Sequence, residues 1–212
     1  MSEAPLLLVG AGVVLEQCAA AWRDAQPERT IEVLETKSND YFNRDLGPMQ
    51  EFPATEWRAF AALPGSGLNM ARLKLLVDIR MKGYKLESFV SPAASVPKGM
   101  KLAENSFVSA GAVIEEGVKV RYNLFVGARA VIGYGSDLGH SVWVGTGALI
   151  GSKASIGDNC VIGNGAIVAD GVRVGRLCEL NIAQEYRTTI ESKTFFSPLF
   201  DEPVRIYGSG QS

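Results

Sequence analysis

The stretch that decides the fold is FVGARAVIGYGSDLGHSVWVGTGALIGSKASIGDNCVIGNGAIV, residues 125–168. Within it an aliphatic residue recurs at every sixth position, and a glycine follows that residue from Val126 to Ile162. A short fixed period indicates one structural unit stacked many times along an axis. The period continues on both sides, and the complete series is Val90, Val96, Leu102, Val108, Ile114, Val120, Val126, Ile132, Leu138, Val144, Ile150, Ile156, Ile162, Val168, Val174 and Leu180.

Each hexapeptide has the pattern of one short strand and one turn. Because side chains alternate along a strand, the recurring aliphatic residue and the residue two positions before it point inward, and the residue between them points outward. Three hexapeptides close one triangular coil, which stacks residue n on residue n+18 at the strand spacing of about 4.8 Å. A β-sandwich would instead need turn clusters every ~8 to 12 residues. We therefore predict a parallel β-helix over residues 87–186, followed by a C-terminal extension over residues 187–212.

The outward positions form three ladders, one on each face of this prism. Two are apolar and one is polar, and extended apolar surfaces are usually buried against a partner. We therefore predict a homotrimer in which the first ladder of one subunit packs on the third ladder of its neighbour; scattered surface hydrophobic residues are the alternative. The first ladder is Val113, Val131, Leu149 and Ile167, the second is Lys119, Asp137, Ser155 and Arg173, and the third is Phe107, Phe125, Trp143 and Val161.

Residues 1–86 have a different pattern. LLLVGAG, residues 6–12, predicts a buried strand that enters a tight glycine turn, and the next segment predicts a helix. A second strand ends at Glu35, and residues 71–83 have helical periodicity. These features predict a short Rossmann-like β/α domain, in which free N–H groups at the helix start can hold a phosphate. The motif lacks the third glycine of a dinucleotide fingerprint, so an ordinary strand-to-helix turn stays open as the alternative.

The composition limits the kinds of partner that this protein is expected to bind. The net charge is -2 and the basic residues form no cluster, which argues against nucleic-acid and membrane partners. The first residues carry no signal peptide or membrane span, so we expect a cytoplasmic protein. The three cysteines, Cys18, Cys160 and Cys178, lack metal-ligand spacing and are expected to be reduced thiols. We expect no metal site.

The glycine-turn domain, an Arg-bearing helix, the segment FVSPAAS and the hexapeptide prism together resemble bacterial sugar acyltransferases of the NeuD/PglD type, to about residue 180. The resemblance implies a left-handed β-helix, a homotrimer, a nucleotide-linked amino sugar bound by the N-terminal domain, and acetyl-CoA or another acyl-CoA bound between prisms. The implied sugar-nucleotide contacts are Gly10, Ala11, Gly12, Glu35 and Thr36, and the implied acyl-CoA contacts are Trp143, Ser152 and Asn164.

The sequence departs from this family at the catalytic motif. The family has a histidine followed by an acidic residue, and Tyr134 and Gly135 occupy those positions here. A second family histidine, which helps to hold the acyl-CoA, is matched by Trp143, and the usual GVPA ending is replaced by EPVRIYGSGQS. The family mechanism therefore does not transfer directly.

The only histidine is His140, at a predicted turn corner. In the 18-residue register it stacks between Tyr122 and Asp158, so a carboxylate one rung away is expected to orient the imidazole and favour its protonated form. Acyl transfer at neutral pH needs such a base. We hypothesise that His140, oriented by Asp158, faces Tyr134 of the adjacent subunit across a groove. A solvated turn residue is the alternative.

The sequence thus predicts acyl transfer from acyl-CoA to an amino or hydroxyl group of a nucleotide-linked sugar, in glycan or polysaccharide biosynthesis. The alternative is a catalytically silent binding or assembly module, since the family base is absent. Hexapeptide prisms also resemble γ-class carbonic anhydrases, but a single histidine cannot build their three-histidine zinc site. Sugar nucleotidyltransferases that end in such a prism need a larger N-terminal domain.

Overall fold

The computed structural model describes residues 3–38, 40 and 42–206. It begins with a four-stranded sheet that is parallel throughout and has the order β2-β1-β3-β4. No helix among these residues is long and apolar enough to cross a bilayer. The elements of this first part are β1 (Leu6–Gly10), α1 (Gly12–Ala25), β2 (Ile31–Glu35), a 3₁₀ turn (Gly47–Glu51), β3 (Arg58–Ala62), α2 (Met70–Met81) and β4 (Lys85–Leu86).

The continuous apolar run of β1 is buried along its whole length, as expected for a parallel strand that is covered on both faces. Leu6 and Leu8 pack with α1, whereas Leu7 and Val9 pack with α2. The chain leaves β1 for β2 on one side and returns to β3 on the other. In sheets of this kind, ligands bind beyond the carboxyl ends of the strands at such a reversal.

The rest of the chain forms the prism, in which nearly every strand has two residues and pairs in parallel with the strands 18 positions before and after it, as Trp143 does with Phe125 and Val161. The predicted register is confirmed. The inward aliphatic residues form one continuous core. The prism strands are β5 (Phe89–Val90), β6 (Phe107–Val108), β7 (Val113–Ile114), β8 (Phe125–Val126), β9 (Val131–Ile132), β10 (Asp137–Leu138), β11 (Trp143–Val144), β12 (Leu149–Ile150), β13 (Ser155–Ile156), β14 (Val161–Ile162), β15 (Ile167–Val168), β16 (Arg173–Val174), β17 (Glu179–Leu180), β18 (Glu185–Tyr186), β19 (Thr194–Phe196) and β20 (Val204–Arg205).

The last coil breaks the period of six. Ile190 bridges to Val174 and β19 pairs with β17, an offset of 16 residues instead of 18. The turn after Tyr186 is therefore two residues shorter than the others. The stacking of coils extends to Phe196, and β20 then pairs antiparallel with β19.

The N-terminal domain covers the third ladder of its own prism. The indole of Trp22 in α1 lies 4.8 Å from the ring of Phe89 and 5.6 Å from that of Phe107. Phe107 and Phe125 are 1% and 2% exposed. The expectation that the third ladder receives a neighbouring subunit is therefore wrong at Phe107 and Phe125, because aromatic residues of the same chain already exclude water from them. The predicted approach of His140 to Tyr134 across that contact loses its basis.

Helix α2 runs along one edge of the prism and fixes the two parts together. Arg80 near its C-terminal end pairs with Glu104. Arg72 is fully buried and donates to the carbonyl oxygens of Ala61, Asn105 and Asn123 at distances between 2.7 and 3.3 Å. Burial lowers the pKa of the Arg72 guanidinium to about 9, so it is still protonated at neutral pH.

Candidate functional site

The glycine turn after β1 is held from two sides. The carbonyl oxygen of Gly10 accepts hydrogen bonds from the backbone N–H of Thr36 at 2.7 Å and from its hydroxyl at 3.0 Å. A Cβ atom at Gly10 would lie 1.8 Å from the carbonyl oxygen of Ala62, so only glycine lets β1 and β3 approach here. Ala11 donates its N–H to the same Ala62 oxygen at 3.3 Å. The turn is therefore rigid.

The helix that follows has an open N-terminus. Ala11 at the cap position provides no side-chain hydrogen bond, and the first turn of α1 carries no acidic residue. Gly12 has no atom near the position of a Cβ, and Val13 is 76% exposed. Uncapped N–H groups and the positive end of the helix dipole together favour an anion at this position.

Glu35 and Thr36 lie beside this turn, since Gly10 is paired with Glu35 in the sheet register. The structure thus brings all five predicted sugar-nucleotide residues to one place, at the carboxyl ends of β1 and β2. Glu35 is exposed, whereas Thr36 is buried and its hydroxyl is occupied by Gly10. Thr36 therefore shapes the turn, and Glu35 is free to face a ligand.

Arg44 is a further residue of this region that sequence reasoning missed. Its Nη1 donates to the carbonyl oxygen of Thr36 at 3.2 Å, and its buried Nε has no hydrogen-bond partner within the described part of the chain. A cavity of about 380 Å³ lies beside it, lined by Lys37, Ser38, Asp40, Asn43, Arg44 and Asp45. No sequence signal marked Arg44, because it lies in an irregular segment whose path only the fold defines.

On the prism, His140 lies at the corner between the second and third ladders. We call this the His140 corner; its stacked residues are Glu104, Tyr122, His140, Asp158 and Arg176. The imidazole stacks on Tyr122 with ring centroids 4.3 Å apart. Its Nδ1 atom is buried and, among the described residues, lacks a hydrogen-bond partner. An added donor or acceptor at that position would remove the cost of the unpaired atom.

Asp158 does not have its expected role. Its Oδ1 accepts the backbone N–H of His140 at 2.7 Å and makes no hydrogen bond to the imidazole. The prediction that Asp158 orients the ring is therefore wrong in this structure. The same bond recurs at the other corners, from Thr146 N–H to Asn164 and from Ser152 N–H to Asp170. It is a structural device that ties each rung to the next.

A cavity of about 510 Å³ opens at the His140 corner and extends over the second ladder. Arg121 crosses its upper end and pairs with Asp137, and this hydrogen bond raises the pKa of Arg121. The cavity is polar, and its charged lining residues are Arg121, Asp137, Asp158, Arg173 and Arg176.

One loop, residues 63–69, joins the two regions. It starts next to Ala62, whose oxygen holds the glycine turn, and Gly65 then lies against the indole of Trp143. At its end, Asn69 is fully buried and donates from Nδ2 to the carbonyl oxygen of Ser141 at 3.1 Å, while its Oδ1 lacks a partner within the described residues. Leu68 and Asn69 both have left-handed backbone conformations. Strained backbone of this kind concentrates at functional sites.

The other predicted prism residues are spread out. Tyr134 is 55% exposed at the corner between the first and second ladders, the corner that also carries Ser152. Trp143 is half-buried and stacks on Phe125 at 3.7 Å, and Asn164 lies at the third corner with its Oδ1 bound to Thr146. A single chain thus does not bring the three predicted acyl-CoA contacts to one site. Within the described residues no group of three His, Cys, Asp or Glu side chains could hold a metal ion.

Three solved structures resemble this arrangement. The acetyltransferase domain of PglB from Neisseria gonorrhoeae, described in complex with acetyl coenzyme A, superimposes with a TM-score of 0.80 at 18% identity, over 95% of this chain and 100% of that domain. PerB from Caulobacter crescentus, described in complex with CoA and GDP-perosamine, gives 0.62 at 20% identity, over 91% of this chain and 93% of PerB. WeeI from Acinetobacter baumannii gives 0.51 at 14% identity, over 90% of this chain and 95% of WeeI.

The chain has the fold of these proteins. The PglB domain and PerB are left-handed β-helix acetyltransferases, so the prism described here is of that form. No protein-family model matches the sequence, and no curated protein matches it significantly. The similarity is therefore one of fold.

Proposed function

We propose that this protein is an acyltransferase that moves an acyl group, most simply acetyl, from acyl-CoA to an amino or hydroxyl group of a nucleotide-linked sugar in the cytoplasm. One observation carries the proposal. A single loop, residues 63–69, runs from an open helix N-terminus at the reversal of a parallel sheet to Ser141, the residue next to the histidine that lines the prism cavity. Two neighbouring sites of this kind suit a transfer reaction, in which the acyl donor and the acceptor sugar are bound at the same time.

The glycine turn is the proposed site of the nucleotide diphosphate. The uncapped N–H groups of α1 can donate to phosphate oxygens. Glu35 is placed to accept from a ribose hydroxyl, and the unpaired Nε of Arg44 offers a further donor. The description of PerB in complex with GDP-perosamine supports this class of substrate for the shared fold.

The His140 cavity is the proposed reaction site. The nitrogen or oxygen of the acceptor sugar attacks the thioester carbonyl, its proton passes to the imidazole of His140, and the coenzyme leaves as the thiol after receiving a proton. The descriptions of the PglB domain with acetyl coenzyme A and of PerB with CoA support acyl-CoA as the donor. Trp143, which contacts the connecting loop, and the more distant Ser152 and Asn164 stay proposed contacts for the coenzyme on adjoining subunits.

The proposed assembly is a homotrimer. The first ladder is still uncovered in the single chain, with Leu149 and Ile167 39% and 38% exposed. Tyr134 borders this ladder and a cavity of about 490 Å³. A neighbouring subunit on the first ladder would bring its own residues next to Tyr134, which we propose as part of the contact between subunits.

The test is acyl transfer from acetyl-CoA to a panel of nucleotide-linked amino sugars. Loss of a general base costs about 10² to 10⁴ in rate, so His140→Ala should lower turnover by that factor with nucleotide affinity unchanged. Asp158→Asn is the matched control on the same corner. It should retain activity, because Asn164 shows that an amide oxygen can accept the rung-to-rung N–H. Full turnover of His140→Ala would remove His140 from the mechanism.

A silent binding module is the second candidate, favoured by Tyr134 at the family's catalytic position. Calorimetry separates the two functions. An acyltransferase binds both coenzyme A and a nucleotide-linked sugar, and Gly12→Asp should abolish only the second by placing a carboxylate at the helix N-terminus. If the unmodified protein binds neither ligand, the acyltransferase proposal is wrong.

A further inference from the structure

The lower half of the His140 cavity differs from the upper half in its charge. Arg173 on the second ladder and Arg176 on the His140 corner line it, together with the hydroxyl-bearing Ser155 and Ser192. Both arginines are exposed, and neither makes an ion pair or a side-chain hydrogen bond within residues 3–38, 40 and 42–206. Two guanidinium groups therefore face one cavity without an ion-pair partner among the described residues.

The acidic residues of the cavity make their hydrogen bonds with residues other than Arg173 and Arg176. Asp137 pairs with Arg121 at the upper end. Asp158 uses Oδ1 for the backbone N–H of His140. Three arginines and two aspartates line the cavity, which leaves a formal charge of +1 concentrated at the lower end. Glu191, which precedes the lining residue Ser192, pairs with Arg205.

The shape of the cavity suits an elongated ligand. Its floor along the His140 corner consists of Gly139, Gly157 and Gly175, which have no side chains to interrupt it. Arg176 lies two rungs below His140, about 10 Å away at the spacing of parallel strands. A ligand that places its reacting end at His140 can thus extend along this floor to the two arginines.

Guanidinium groups bind phosphate through paired, charge-assisted hydrogen bonds. We propose that Arg173 and Arg176 form a phosphate-binding site for the substrate whose reacting end lies at His140. The identity of that substrate rests on the proposed acyltransferase function. Acyl-CoA fits best, because its phosphates and its thioester lie at opposite ends of a flexible arm, and the nucleotide diphosphate has its own proposed site at Gly12. The shared chemistry is phosphate, so the experiment separates the two sources.

The experiment is calorimetry on the full chain with Arg173→Glu/Arg176→Glu. The ligands are coenzyme A, pantetheine, UDP, GDP and inorganic pyrophosphate. A hydrogen bond to a charged group that is lost on substitution costs about tenfold or more in affinity. The double variant should therefore bind coenzyme A at least tenfold more weakly, and salt should weaken binding to the unmodified protein. Pantetheine, UDP and GDP should be unaffected. Arg23→Glu/Lys82→Glu, which changes two exposed cations away from the cavity, is the control.

Each outcome decides. Weaker binding of UDP and GDP, with coenzyme A unchanged, keeps the phosphate site and assigns it to the nucleotide. Unchanged affinity for all phosphate-bearing ligands overturns the site. If the unmodified protein binds neither coenzyme A nor a nucleotide, the acyltransferase proposal fails and pyrophosphate decides separately. Binding of pyrophosphate that the double variant loses retains the site, and absence of such binding overturns it.

Discussion

The first and third ladders are alike in sequence and different in structure. Both are apolar rows that point out of the prism at the same 18-residue spacing. Phe107 and Phe125 of the third ladder are 1% and 2% exposed, whereas Leu149 and Ile167 of the first are 39% and 38% exposed. The difference comes from α1 and the sheet behind it, which cover only one face. An outward-facing apolar row thus indicates that a face of the prism is buried against another surface, but it does not show whether that surface belongs to the same chain or to a neighbouring subunit.

The largest expected effect comes from opening the covered ladder. Phe107→Ala removes a ring that stacks on Phe89 and Phe125 at 4.9 and 5.3 Å. Truncation of a buried phenylalanine typically costs about 3 to 5 kcal/mol of unfolding free energy. Leu149→Ala on the first ladder is the control and should cost about 1 kcal/mol or less in the monomer. Urea denaturation checks both, and equal costs would show that both ladders are equally covered.

A slightly smaller effect is expected where α2 meets the prism. Arg72→Leu removes the donor from the carbonyl oxygens of Asn105 and Asn123, whereas the carbonyl oxygen of Ala61 keeps its hydrogen bond from Asn105 Nδ2. Each of the two buried unpaired groups costs about 1 to 3 kcal/mol, so the variant should lose roughly 2 kcal/mol or more. Arg80→Leu, which removes a partly exposed ion pair from the same helix, should lose less than about 1 kcal/mol. Similar losses in thermal denaturation would contradict the role assigned to Arg72.

The smallest effect on the folded monomer is expected on the uncovered ladder. Leu149→Asp places a carboxylate on a surface that we propose is buried between subunits, where an unpaired charge costs several kcal/mol. The variant should be monomeric by light scattering and retain its circular dichroism spectrum. Ser155→Asp on the polar second ladder should leave the trimer intact. A monomeric unmodified protein at micromolar concentration would refute the assembly.

The prism was predictable because its register depends on the alternation of side chains and on a fixed period, and both can be read from the amino-acid sequence. The short last turn before Ile190 was not predictable. It is two residues shorter than the other turns, and the residues after it still point inward, so the pattern of six ends without a visible marker. The docking of α1 on the third ladder was not predictable either. It depends on the position of Trp22 in the folded chain, and no sequence periodicity relates residue 22 to residue 107.

The candidate site divides in the same way. The glycine turn and its neighbours Glu35 and Thr36 could be found, because consecutive strands of a parallel sheet end at one edge. The role of Asp158 was misjudged, since the 18-residue register gives the spacing of two residues and not the atom that each one uses. The role of Arg44 and the contacts of the loop that ends at Asn69 were missed, because irregular backbone has no period from which its neighbours could be inferred.

The length of helix α2 matches the height of the prism edge along which it packs. Ten helical residues separate Arg80, beside Glu104, from Met70, beside Asn159. At ~1.5 Å per residue they span ~15 Å, and the three rung spacings between those partners span ~14 Å. One added coil would displace the partners by ~4.8 Å, which three added helical residues would restore. Relatives that differ in the number of coils should therefore have gained or lost them after residue 159, because α2 begins beside that residue, at Met70, and its length need not match the coils beyond it.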